Sequence, residues 1–122
     1  MAEKVDRLTR VNELIKRLLA EEINRDLLPA AGVLVSVTDV NTSVDLRNAT
    51  IYISIFGGRP SDKEAVMQEL DRRRVAFQRS IAGKLAFKHT PVLYFKRDLR
   101  QEQGDRVLEL LNEAENGNNS AQ

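Results

Sequence analysis

Leu8, Val11, Ile15, Leu18 and Leu19 recur at spacings of three and four, with Leu14 and Ile23 flanking the stripe, and this periodicity predicts an amphipathic helix near the start of the chain. Asp6 or Thr9 can cap it. Pro29 disfavours helical geometry at the residue before it, so the helix is expected to stop within residues 24–28, with Ala30-Ala31-Gly32 as a turn. The period then changes to two. Over residues 33–40, Val33, Val35 and Val37 alternate with Leu34, Ser36 and Thr38. After a polar connection, Ala49, Ile51, Ile53 and Ile55 share one face, with Thr50, Tyr52 and Ser54 on the other. The two strands are expected to form an antiparallel hairpin with one face buried.

Phe56-Gly57-Gly58-Arg59-Pro60 breaks the second strand, and Ser61-Asp62-Lys63-Glu64 has the spacing of a capping box, placing a helix start at about Asp62. The stripe Val66, Met67, Leu70 resumes at Phe77, Ile81 and Leu85, but Arg72-Arg73-Arg74 occupies the turn between. An unbroken helix would put Arg74 on the buried stripe, so two helices are expected, with a bend or break near residues 74–76. Phe87-Lys88-His89-Thr90-Pro91 closes the second of them, and Val92-Leu93-Tyr94-Phe95 reads as a third strand. Val107, Leu110, Leu111 and Ala114 give a short C-terminal helix, and residues 115–122 cannot build a core and are expected to be a disordered tail. The result is one α+β domain over residues 1–114, ordered α-β-β-α-kink-α-β plus a C-terminal helix, with the helices on one face of a three-stranded sheet. That order resembles the KH domain in its prokaryotic, type II arrangement. The Gly-x-x-Gly loop with which KH domains hold four nucleotides is absent from the sequence.

At 122 residues, 42% hydrophobic and 30% charged, the chain has enough apolar surface for one core and too little bias for disorder. It has no Cys, which excludes disulfide frameworks, thiolate zinc sites and cysteine nucleophiles. No apolar run approaches the roughly twenty residues of a membrane span, and the first residues lack a signal-peptide core, so no membrane is involved and a cytoplasmic protein is expected. The net charge of +1 hides a strong segregation. Residues 1–71 carry nine Lys/Arg against twelve Asp/Glu, residues 72–100 carry nine against Asp98 alone, and residues 101–122 carry one against five.

The middle segment, at net +8, reads as an anion-binding surface whose obvious partner is RNA, or else as a solvated basic helix face. Arg72, Arg73 and Arg74 at the helix junction, Arg79 beyond it, and Lys84 and Lys88 toward the helix end could line a groove for phosphates. Arg10 and Arg17 on one face of the first helix add to it, diluted by Glu13. Only Tyr52 and Tyr94 look free to stack on bases, so backbone and shape recognition of a structured RNA fits better than base reading. Catalysis has no visible apparatus. His89 is the sole histidine and reads as a loop or surface residue, the pairs Glu21-Glu22 and Asp105-Glu109 read as solvated helix charges, and Gly57-Gly58 lacks the residues of a phosphate loop.

Several segments, in order and spacing, resemble the bacterial ribosome-binding factor A family over about residues 5–111. They are Arg10-Val11-Asn12-Glu13-Leu14-Ile15; Val37-Thr38-Asp39-Val40 with Asp45-Leu46-Arg47-Asn48-Ala49; Tyr52-Ile53-Ser54; Pro91-Val92-Leu93-Tyr94-Phe95 with Asp98; and Gly104-Asp105-Arg106-Val107 before Leu110-Leu111. The family resembles KH domains but carries a helix-kink-helix with an Ala-x-Gly kink in place of Gly-x-x-Gly. Here Arg74-Val75-Ala76 stands at that position, adding positive charge. The chain is expected to be a monomer without cofactor, small-molecule substrate or catalysis of its own, and the resemblance implies a ribosome assembly factor. It would bind the free small (30S) ribosomal subunit late in assembly, assist folding and 5′ processing of 16S rRNA, matter most in the cold, and leave before translation. The competing readings are a general RNA-binding module, a protein-interaction or self-association domain, and an RNA-processing enzyme.

Overall fold

The computed structural model describes residues 2–85 and 90–100. Their order is α1 (Ala2–Asp26), β1 (Leu34–Thr42), β2 (Asn48–Phe56), α2 (Pro60–Arg72), α3 (Arg74–Lys84) and β3 (Val92–Arg97). The strands form one sheet in the order β1-β2-β3, with β2 antiparallel to β1 and parallel to β3. Lys88, His89, the C-terminal helix expected around residues 107–114 and the tail at 115–122 lie outside the described residues.

Alternation along β2 sends Ala49, Ile51, Ile53 and Ile55 inward, all fully buried. Val35, Val37 and Val40 of β1 and Leu93 of β3 join them, and Val11, Ile15, Leu19 and Ile23 of α1 close over the same face. From the crossover, Val66 and Leu70 of α2 and Phe77, Ile81 and Leu85 beyond the break complete the core. A parallel neighbour requires a crossover connection, and a crossover covers the sheet with helices, so α2 and α3 are held on this face by the β2–β3 pairing itself.

Four local features differ from the sequence expectation. Helix α1 already runs at Ala2, so Asp6 and Thr9 lie inside it and do not cap it. The alternation in β1 shifts phase between Val37 and Asp39, where Thr38 and Asp39 together face Tyr52. This bulge turns Val40 and Thr42 inward after Val35 and Val37. Helix α2 begins two residues early, with Pro60 in its first turn, its ring holding a helical φ. The carboxylate that closes its start is therefore Asp62, accepting the Arg59 amide at 2.9 Å, and not Glu64. The break in the basic segment falls at Arg73, one residue before Arg74-Val75-Ala76.

Several residues that carry the family resemblance act as braces. Asn12 Oδ1 accepts the Thr42 amide at 2.9 Å, tying α1 to the end of β1. Asp45 accepts from the Ser43 hydroxyl at 2.6 Å and the Arg47 amide at 3.1 Å, shaping the hairpin turn in which Leu46 adopts φ 61°. The Asp98 amide donates to the Ile53 carbonyl at 2.8 Å, and its carboxylate accepts from the Thr38 hydroxyl in the bulge at 2.7 Å. The exit from β2 depends on Gly57 at φ 78°, where a Cβ would lie 2.0 Å from the Gly32 carbonyl oxygen. Replacing Gly57 by Ala is expected to destabilise the domain by about 2–3 kcal/mol, read as a lower urea midpoint at unchanged m-value.

Candidate nucleic-acid interface

The basic ridge is built where α2 meets α3. Leu70 and Phe77 are both buried, seven residues apart, and the intervening arginines cannot share that burial. The chain resolves this at Arg73, whose ψ of 4° departs from the helical value while its neighbours stay helical. The Arg73 amide still donates to the Glu69 carbonyl at 3.0 Å, and the Phe77 amide to the Arg73 carbonyl at 3.0 Å. Helical bonding thus persists on both sides of a one-residue bend. Arg74 opens α3, with Val75 and Ala76 exposed beside it.

The three arginines are not bare charges. Arg72 grips Glu69 with two bonds, Nε to Oε2 at 2.9 Å and Nη2 to Oε1 at 2.7 Å, and Arg73 Nε reaches the same Oε1 at 2.6 Å. The hydrogen bonds from Arg72 and then Arg73 hold the Glu69 carboxyl far below the usual range, to about 2. Arg74 Nη1 lies 3.7 Å from Asp71 Oδ1. At the end of α1, Asp26 is held below its ordinary value chiefly by a hydrogen bond from Arg25, with Arg73 adding to the same effect. Arg79 is exposed, one to two turns past the break, and forms no ion pair among the described residues.

Helix α3 ends on an acid whose sequence context suggests solvated surface. Glu21 is exposed, but Glu22 is 1% exposed and faces α3. The Ser80 hydroxyl donates to Glu22 Oε1, Lys84 Nζ lies 3.7 Å from the same oxygen, and Oε2 has no partner among the described residues. Burial pushes the Glu22 carboxyl up, against the pull of Lys84. The signal is present in the spacing: Glu22 falls seven residues after Ile15 and three after Leu19, on the apolar stripe itself. Ser80 and Lys84, four apart, supply its partners from one face of α3.

The candidate residues therefore divide into groups. Arg72, Arg73, Arg74 and Arg79 gather at the break and Lys84 stands at the far end of α3. Arg10 and Arg17 are exposed on α1, about 24 and about 13 Å along its axis from Asp26, and no described hydrogen bond or ion pair joins them to α3. Tyr94, 47% exposed, and half-buried Tyr52 lie on the opposite, open face of the sheet, where Thr50 pairs with Tyr94 and Tyr52 with Lys96. Among the described residues no group of His, Cys, Asp and Glu could hold a metal ion, and no helix is long and apolar enough to cross a membrane.

Comparison with known proteins follows the same lines. The sequence profile of a family described as ribosome-binding factor A matches residues 7–111. A Synechococcus protein named ribosome-binding factor A is 39% identical over 111 residues, spanning 88% of this chain and 75% of its own length. The crystal structure of ribosome-binding factor A from Thermus thermophilus superposes with a TM-score of 0.64 at 24% identity, covering 74% of this chain and 94% of that one. A homology model of Thermus thermophilus ribosome binding factor A, fitted into the cryo-EM map of a complex of that factor with the 30S particle, gives 0.57 at 24% identity, covering 70% and 88%. The last two likenesses carry the KH-like fold.

The buried acid makes a prediction about pH. A carboxyl whose folded pKa is raised binds its proton more readily in the folded state, so its contribution to stability grows as pH falls from neutrality through the raised value toward 4.5. Glu69, Asp26 and Asp45, all held low, oppose this only once pH drops into and below the ordinary carboxylate range. Urea titrations between neutral and mildly acidic pH should show that rise in the native chain and its loss in Glu22→Gln, which keeps an acceptor for Ser80. Glu22→Leu, which strands the Ser80 hydroxyl and Lys84, is expected to cost about 1–3 kcal/mol.

Proposed function

The chain belongs to the ribosome-binding factor A family, and from that premise we propose that it is a non-enzymatic assembly factor that binds the free small ribosomal subunit through the ridge at the α2–α3 break. The observation that carries the reading is the bend at Arg73, which presents Arg72, Arg73, Arg74 and Arg79 from two helices at one corner of a buttressed KH-like domain. Guanidinium forks bind phosphate oxygens, and a rigid corner of them suits the backbone of a folded RNA better than the edges of its bases. The partner is the 16S rRNA of the 30S particle, the particle with which the Thermus relative was fitted.

In this role the factor holds rRNA backbone in a configuration that late assembly requires and the mature subunit abandons. That assists folding and 5′ processing of 16S rRNA while the protein itself breaks no bond. The demand is greatest in the cold, where misfolded RNA helices rearrange slowly. Arg10 and Arg17 form a second, separate contact along α1, and Lys84 extends the ridge at the far end of α3.

Sedimentation of the purified protein with isolated small subunits and with joined ribosomes, each at low and high salt, tests this. Salt-sensitive co-migration with small subunits alone is expected. Equal binding to both would point to a general RNA-binding module, and binding to neither to a protein partner. Charge reversal at Arg79 is expected to weaken subunit binding at least about tenfold and to flatten its dependence on salt by about one phosphate contact, with the unfolding midpoint unchanged. Binding that survives Arg79→Glu intact would remove the ridge from the interface.

A further inference from the structure

The most heavily engaged side chain in the ridge is an acid. Glu69 spends both carboxylate oxygens on arginines: Oε2 on Arg72 Nε, and Oε1 on Arg72 Nη2 and Arg73 Nε, with all three contacts between 2.6 and 2.9 Å. Two oxygens of one anion bridging two guanidinium groups is the arrangement that non-bridging phosphate oxygens also adopt. Asp71 stands beside Arg74 at 3.7 Å, and Asp26 of α1 is close enough to sense Arg73. Three adjacent cations are thus already met by carboxylates of the same chain, while Arg79 meets none among the described residues.

We propose that Glu69 occupies the seat of one RNA phosphate, so that Arg72 and Arg73 take up the rRNA backbone only by exchanging this carboxylate for a phosphodiester. The inference rests on the reading of the α2–α3 break as the RNA-binding ridge and adds how that site is regulated. Arg79, exposed and met by no carboxylate among the described residues, supplies the attraction at a distance. Arg72 and Arg73 then engage only where a phosphate is delivered close enough to displace Glu69, which selects a backbone that fits the corner over any passing anion. The exchange also works in reverse. Once the phosphate begins to withdraw, Glu69 recaptures its arginines, which shortens the life of the complex in a factor that must leave.

The test is binding of Glu69→Gln to isolated small subunits at about 50 and about 200 mM salt, with the native chain and Arg79→Glu measured beside it. Gln keeps nearly the same helix propensity and the backbone carbonyl that caps Arg73, and thermal melting checks that the variant folds. The expected result is affinity about three- to tenfold tighter at the lower salt, slower dissociation, and a steeper salt dependence, because the native chain must re-solvate a carboxylate as it binds and the variant does not. Unchanged or weaker binding by Glu69→Gln, or tighter binding with an unaltered salt slope, would overturn the exchange while leaving the ridge intact, provided that Arg79→Glu still weakens the complex. Indifference of the subunit to Arg79→Glu would instead remove the ridge itself.

Discussion

β2 is hydrogen-bonded on both sides, to β1 in one sense and to β3 in the other, and its four inward residues are sealed from water by every helix described. The parallel partner is the demanding one. Two parallel strands cannot be joined by a tight turn, so the chain leaves β2, climbs over the buried face as α2 and α3, and returns in register at Val92. A charged interruption in such a crossover has to turn outward, because the face beneath it is the core. The bend at Arg73 and the exposure of the arginines around it are therefore consequences of strand order as much as of local sequence.

Apolar spacing made most of this fold legible. The stripe of α1, the alternations around Val35 and Ile53, and the interruption of Leu70 to Phe77 by three arginines each point to the element that forms. What stayed hidden depends on two segments at once. The bulge at Thr38 is stabilised by Asp98, sixty residues away, and no window of β1 contains that partner. Glu22 looks like surface charge until Ser80 and Lys84 are brought against it by α3. The start of α2 lies two residues ahead of its apparent capping box for a local reason, since Pro60 and Asp62 compete with Ser61 and Glu64 for the same role and the proline prevails.

The candidate site was legible as a run of positive charge, but its electrostatics were not. Counting Lys and Arg over residues 72–100 gives a strongly basic segment, whereas the folded ridge is partly neutralised by Glu69, Asp71 and Glu22, all of which precede the run and one of which comes from α1. The residues that carry the family likeness lie outside the ridge, Arg10 alone among them being a candidate contact. Asn12, Asp45 and Asp98 hold α1, the hairpin turn and the β1 bulge in place, so that part of the shared pattern records a scaffold.

The parallel pairing also orders events in time. β1 and β2 are joined by residues 43–47 and can zip together as soon as both have emerged from synthesis, whereas β3 waits for residues 57–91. Closing that longer loop costs about 2 kcal/mol more in chain entropy, offset only when α2 and α3 dock on the hairpin. The Asp98 latch onto Thr38 and Ile53 can engage only after β3 has arrived. The arginine corner, held by contacts three and four residues apart, needs no such wait, so the last bonds to form are those that lock the sheet beneath it.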